Sequence, residues 1–154
     1  MGRSVHPYDD TAVIDSRAPR TNQTVIGSLA LLAFVLNAQW LIALLAIQFI
    51  LGLALGRRWC LPCLLYFELI QPRIGEGRIE DSRPPRFANQ VGAAFLSVAT
   101  IAFLAGAAAF GWVLALIVST LALFSAMSGI CLGCEMYVAI ARARGLTLDR
   151  YPAS

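Results

Sequence analysis

The chain has 154 residues, 58% of them hydrophobic and only 14% charged, with a formal net charge of +3. Ordinary soluble domains are about 25% charged, so this balance argues against a soluble globule and for burial in lipid. The small positive charge, carried by twelve arginines and no lysine, shows no interleaving of basic and aromatic residues, which leaves nucleic acid out as a partner.

Residues 1–23 hold Arg3, Asp9, Asp10, Asp15, Arg17 and Arg20 and no apolar run. This is a polar cytoplasmic arm and not a secretory signal peptide. From Thr24 to Gly56 no side chain is ionisable. The tract is too long for one crossing of about 20 residues and tight for two. Asn37, Gln39 and Trp40 interrupt its middle, so it reads as a hairpin of two short crossings. Residues 67–87 form a loop holding Arg73, Arg78, Arg83 and Arg86, in which Leu64–Ile70 is a short interfacial helix ended by Pro72, and Asp81 or Ser82 caps the next helix. A second apolar tract, Phe87–Gly133, turns at Gly106 and Gly111–Trp112. Arg142, Arg144 and Arg150 mark the tail, 142–154.

Arginines occur at both ends and in the central loop, and neither hairpin turn has one. The positive-inside rule then places arm, loop and tail in the cytoplasm. The expected fold is an all-α integral membrane protein of the bacterial inner (plasma) membrane. Its four short transmembrane helices form two tandem hairpins, 24–66 and 88–141, related by a pseudo-two-fold axis along the membrane normal.

The two tracts repeat each other. Asn22-Gln23, Trp40 and Cys60-Leu61-Pro62-Cys63 with Tyr66 in the first correspond to Asn89-Gln90, Trp112 and Cys131-Leu132-Gly133-Cys134 with Tyr137 in the second. The axis would bring the two C-x-x-C pairs together at the inner rim of the bilayer. If each motif were helical, two thiols and a phenol would share one face. A helix beginning near each leading cysteine would aim N–H groups at its sulfur. Arg57 and Arg58 would then favour thiolate at Cys60, while Glu135 would oppose ionisation of Cys134.

Isolated cysteines in membrane helices are usually inert fillers, but four cysteines in two matched pairs point to chemistry. Cytoplasmic thiols are kept reduced, which disfavours a structural disulfide. Cys60, Cys63, Cys131 and Cys134 are therefore the candidate reactive residues. They would exchange electrons with a thioredoxin-like protein or a membrane quinone, or carry sulfur as a persulfide, and neither reading requires a cofactor. Alternatively all four would bind one zinc or an iron–sulfur cluster. Supporting roles fall to Asn22, Gln23, Asn89 and Gln90, as helix caps or as a polar pocket beneath the thiols, and to Arg83 and Arg86, which would meet lipid phosphates or an anionic substrate. Trp59-Cys60-Leu61-Pro62-Cys63 is similar to the thioredoxin active-site pattern over five residues only, and Trp59, like Trp40 and Trp112, suits an interfacial anchor. His6 has no assigned role.

Three segments carry a family resemblance: Asp-Ser-Arg-x-x-Arg-x-Asn-Gln at 15–23, Arg-Pro-Pro-Arg-Phe-Ala-Asn-Gln at 83–90 and Gly-x-Cys-Leu-Gly-Cys-Glu-x-Tyr at 129–137. Across roughly residues 12–144 the chain resembles a bacterial family of small membrane proteins catalogued as a domain of unknown function, number 4395. The resemblance implies a four-helix membrane protein associated with thioredoxin-like or rhodanese-like partners, and so favours thiol or sulfur chemistry over metal.

Overall fold

A computed structural model describes residues 6–148. The far ends of the expected arm and tail, with Arg3 and Arg150, lie outside the described residues. The arm is structured from β1 (Val13–Asp15), which pairs antiparallel with β2 (Ile79–Asp81), Ile14 standing opposite Glu80. Each strand runs directly into a long helix, α1 (Arg17–Val35) after β1 and a later one (Arg83–Leu104) after β2. An aspartate fixes each junction: Asp15 Oδ1 accepts the Arg17 N–H at 3.0 Å and Asp81 Oδ1 the Arg83 N–H at 2.8 Å. Pro19, Pro84 and Pro85 all fall in first helical turns, where a missing N–H costs nothing.

α1 turns into α2 (Gln39–Leu55) through a reversal in which Ala38 N–H bonds to Ala33 O and Asn37 N–H to Phe34 O. Asn37 takes φ 51°, a left-handed conformation that Asn tolerates. After α2 come a 3₁₀ turn (Arg57–Trp59), α3 (Leu61–Leu64), a π-helical stretch (Leu65–Ile70) and α4 (Gln71–Ile74), so the helical run outlasts Pro72 and stops at Gly75. Following β2, α5 (Arg83–Leu104) and α6 (Ala108–Ser128) repeat the first hairpin, and α7 (Leu132–Ala143) follows. The second reversal copies the first, with Ala107 N–H on Ala102 O and Gly106 N–H on Phe103 O, and Gly106 at φ 80°. Gly111 and Trp112 belong to α6 and not to the turn.

Each hairpin packs mainly on the other, α1 against α6 and α2 against α5. The seam is made of small residues, Ala30, Ala33, Ala46, Ala99 and Ala115, around Ile42 and Leu96. A side chain at Gly27 would place its Cβ 2.8 Å from Leu123 Cγ, and the Ser119 hydroxyl donates to Gly27 O at 2.8 Å, so α1 and α6 touch almost backbone to backbone. At the turn end Trp112 packs edge-on against Phe34 and Phe103, which makes it a packing residue, whereas Trp40 is exposed.

The expected four membrane crossings are not what the structure supports. Among the described residues two helices are long and apolar enough to cross a membrane: α5, 22 residues with mean hydropathy 1.6, and α6, 21 residues with mean hydropathy 2.1. α1 has 19 residues but spends its first two turns on Arg17, Arg20, Asn22 and Gln23; what remains from Thr24 spans roughly 18 Å at about 1.5 Å per residue. The 17 residues of α2 reach roughly 25 Å, against a hydrocarbon layer of about 30 Å. Splitting an uncharged tract at its turn counts apolar residues, but a helix also extends into its polar flank, and α1 does so. In both α5 and α6 only 22% of the apolar window is buried within the molecule. A core helix of a soluble domain would be mostly covered; here residues such as Val98, Ile101, Val113 and Phe124 face outward.

Candidate functional site: two cysteine pairs at one end of the bundle

Both C-x-x-C motifs lie at the strand end of the bundle, away from the two reversals. A glycine with positive φ precedes each, Gly56 at 94° and Gly129 at 76°, breaking the chain out of α2 and α6. The leading cysteines then adopt nearly the same extended conformation, Cys60 at φ −91°, ψ 101° and Cys131 at φ −90°, ψ 108°, and each caps a helix beginning at the next residue. Because the leading cysteine is a cap and not a helical residue, the expected stripe of Cys, Cys and Tyr on one face does not form. Tyr66 instead turns inward, fully buried, and donates to Asp15 Oδ2 at 2.7 Å. Tyr137 packs against Phe87.

Cys131 is a free thiol surrounded by donors. The Cys134 N–H points at its sulfur at 3.4 Å, and Gln23 Nε2 donates to it at 3.2 Å. Ser125 holds Gln23 in that pose by donating to Gln23 Oε1 at 2.8 Å. The Cys134 thiol, the helix-start N–H, Ser125 and Gln23 together outweigh the cost of burial and bring the Cys131 thiol down to about 6. Cys134 moves oppositely: the hydrogen bond to Cys131 and its own burial push it far up, with the charge of Cys131 adding and Glu135 contributing less. The pair is poised as one thiolate and one thiol. Gly133 lets α7 come this close to α5, since a Cβ there would stand 2.8 Å from Ala88 Cβ.

The first motif is different. Cys60 and Cys63 are joined in a disulfide, both buried, beneath Ala18, Tyr66 and Phe67. A structural disulfide is the less favoured expectation for a cytoplasmic pair, whereas a pair cycling between dithiol and disulfide takes this form in its oxidised state. Pro62 sits in the first turn of α3 where the second motif has Gly133. Arg57 and Arg58 do not serve the sulfur either. The Arg57 guanidinium donates to the carbonyls of Pro7, Asp10, Thr11 and Val13, at 2.7–3.2 Å, and so straps the N-terminal segment over this motif. Burial lowers its basicity only against the opposing pull of Asp10. Arg58 lies over the Tyr8 ring and 3.9 Å from Asp9.

Asn22 and Gln23, adjacent on α1, separate the pairs and join them. Asn22 Nδ2 donates to Asn89 Oδ1 at 3.2 Å, and Asn22 Oδ1 stands 3.9 Å from Cys60 Sγ. A cavity of about 320 Å³ lies beside Cys60 and Cys63 and one of about 110 Å³ beside Cys131. The two share Asn22, Ile26, Phe49 and Asn89 as walls. Of the predicted polar residues, Asn22, Gln23 and Asn89 therefore line a pocket and do not cap helices, while Gln90 is exposed and lines neither cavity. Arg86 lines the larger one. The four sulfurs are not gathered into one centre: among the described residues no group of three or more His, Cys, Asp or Glu could hold a metal ion. A tetrahedral zinc or a four-cysteine cluster does not fit this arrangement.

Sequence reasoning missed Asp15, Ser125, the strap and Gln48, whose Nε2 donates to Trp59 O at 2.8 Å just before the first motif. Asp15 had a signal: Asp15-Ser16-Arg17 and Asp81-Ser82-Arg83 extend the duplication upstream, and both aspartates are buried. Their partners differ. Asp15 Oδ2 also accepts from Gly77 N–H at 2.8 Å and Gln71 Nε2 at 3.2 Å, tying the 61–77 segment to β1. Burial pushes the Asp81 carboxyl up, but its bonds with Arg83 prevail and hold it below the usual range.

The chain belongs to the family described as Domain of unknown function (DUF4395), whose model matches residues 14–142. That span starts in β1 and ends in α7, so it includes both hairpins and both cysteine pairs. No curated protein and no solved structure matches the chain.

Proposed function

We propose that the protein is a membrane-seated thiol–disulfide exchange protein in which Cys131 is the nucleophile and Cys134 its resolving partner. The observation that carries this reading is the placing of Cys131 at a helix start, with the Cys134 N–H and Gln23 Nε2 both donating to its sulfur. Such a thiolate is present at neutral pH and close to the optimum for attack. It would attack the disulfide of a thioredoxin-like partner, forming a Cys131–partner disulfide and expelling the partner's second sulfur. Cys134 then attacks Cys131, closing the Cys131–Cys134 disulfide; its proton goes to one partner sulfur, water returns to the other the proton that Cys131 released on ionising, and the partner leaves as a dithiol. Two electrons pass to the partner, and the reverse sequence oxidises it.

The α5–α6 hairpin supplies the seat. Its outward apolar side chains suit lipid, and the arginines at the strand end favour a cytoplasmic site by the positive-inside rule. The test is trapping: a Cys134→Ser chain incubated with an oxidised thioredoxin-like protein should accumulate a mixed disulfide at Cys131, read by mass, and a Cys131→Ser chain should not. Equal trapping in both variants, or none in either, rejects the exchange reading.

A further inference from the structure

The larger cavity has a chemistry that exchange at Cys131 leaves unused. Its wall includes the Cys60–Cys63 disulfide. Ile14, Ile26, Phe49 and Leu53 are among its apolar lining residues, and Asn22 of α1 and Asn89 of α5 are among its polar ones. At about 320 Å³ it falls in the size range of small-molecule pockets. Among the described residues no carboxylate lines it.

Two polar groups in it are unspent. Asn22 is 4% exposed, and the polar atom facing its Oδ1 is Cys60 Sγ at 3.9 Å, which in the disulfide has no proton to give. A buried acceptor without a donor is costly. The Arg86 side chain makes no hydrogen bond or ion pair with another described residue, and Arg86 is an exposed member of the lining. The other lining cation, Arg57, has given both its terminal nitrogens to backbone carbonyls. One uncommitted cation in an apolar pocket does not suit a dianion, whose second charge would be buried unpaired. It suits a neutral, flat molecule with an oxygen at each end, one a hydroxyl for Asn22 Oδ1 and the other an acceptor for Arg86. Ala54 and Leu55, also in the lining, are exposed at the end of α2, so the mouth opens beside the apolar flank of the bundle.

We propose that this cavity binds a lipid-soluble quinone and its hydroquinone, and that Cys60 and Cys63 exchange two electrons with it. In the oxidative direction the two S–H bonds break and the S–S bond forms. The electron pair passes to the quinone ring and both protons to its oxygens, giving the hydroquinone. The new hydroxyl supplies Asn22 Oδ1 with the donor that Cys60 gave up on oxidation. The inference rests on the membrane seating proposed above, since the ligand arrives through lipid, and not on the role of Cys131.

The test uses the full chain in detergent micelles, fully reduced and freed of reductant, mixed anaerobically with a fully ring-substituted benzoquinone, to which thiols cannot add. A Cys131→Ser/Cys134→Ser chain isolates the first pair. Loss of quinone absorbance should saturate with quinone concentration and match the loss of two thiols mapped to Cys60 and Cys63. Arg86→Gln, an exposed change that leaves the fold intact, should raise the half-saturating concentration about tenfold, and Asn22→Ala should do the same independently. A rate that stays linear in quinone and ignores Arg86→Gln, or thiols that survive, overturns the proposal. Quinone reduction that persists where trapping at Cys131 fails would sink the exchange reading alone, and the converse would sink this one alone.

Discussion

Replacing Cys134 by alanine tests the account of Cys131 reactivity at its largest source. The Cys134 thiol is the leading cause of the low Cys131 value of about 6, ahead of the Cys134 N–H, Ser125 and Gln23. A hydrogen bond to a charged acceptor is worth about 1.5–3 kcal/mol, which at roughly 1.4 kcal/mol per pH unit moves a midpoint by about one to two units. The lower part of that range applies, because Cys131 is only partly buried. The alanine retains the backbone N–H and the helix start, so the rest of the site stays. The assay is the pH dependence of iodoacetamide alkylation at Cys131, followed on its peptide by mass. In the parent chain the rate should rise with a midpoint near 6. In Cys134→Ala the midpoint should move upward, slowing reaction at pH 7 by about two- to fourfold, while the two rates converge above about pH 9. An unmoved midpoint would refute the reasoning, since the thiol would then contribute nothing to the thiolate.

Val98 lies in the apolar part of α5, sixteenth of its 22 residues, and is 46% exposed; Val98→Arg should cost up to about 2.5–3.5 kcal/mol if that face meets lipid, cutting the membrane-inserted yield, whereas on a water-facing helix it would be harmless or would raise solubility. Gly27→Val puts side-chain atoms where Leu123 already stands, with the Cβ at 2.8 Å; overpacking of about 1–3 kcal/mol should lower the thermal midpoint in detergent, and an unchanged midpoint would show that α1 and α6 are not in close contact. Arg57→Ala removes the strap, so limited proteolysis within 6–13 should accelerate while alkylation at Cys131 stays as it was; equal cleavage rates would count against the clamp. Asp15→Asn keeps one oxygen for the Tyr66, Gln71 and Gly77 donors that Oδ2 serves but replaces the Oδ1 acceptor of the Arg17 N–H by an NH2 group, and should lower stability by about 1–3 kcal/mol, measured by denaturant in micelles.

The two reversals were legible because only a few residue types enter the left-handed region, and Asn37 and Gly106 stand where the apolar tracts must turn. The correspondence of the cysteine motifs was legible for the same kind of reason, through order and spacing along the chain. Helix beginnings were not. Lipid-length counting starts at Thr24, but a helix begins where its first carbonyl finds a partner, and the buried carboxylates of Asp15 and Asp81 set that point seven or more residues upstream of Asn22 and Asn89. The strands are three residues each and owe their pairing to a partner more than sixty positions away, which no local pattern records. The two C-x-x-C motifs read alike, and what separates a disulfide from a thiolate pair is the surroundings: Ala18 and Phe67 around one, Gln23 and Ser125 around the other.

The crossed packing of the hairpins has a bearing on how the chain assembles. Since α1 seeks α6 and α2 seeks α5, neither half completes its own interior, and each is the template on which the other closes. The arrangement is that of a two-subunit complex whose subunits have been spliced end to end. Severed between β2 and the preceding α4, the two pieces made together should find each other and rebuild the intact body, while either made alone would be left with an uncovered alanine seam. Because the two halves are not identical in sequence, one cysteine pair can be sealed while its counterpart stays open.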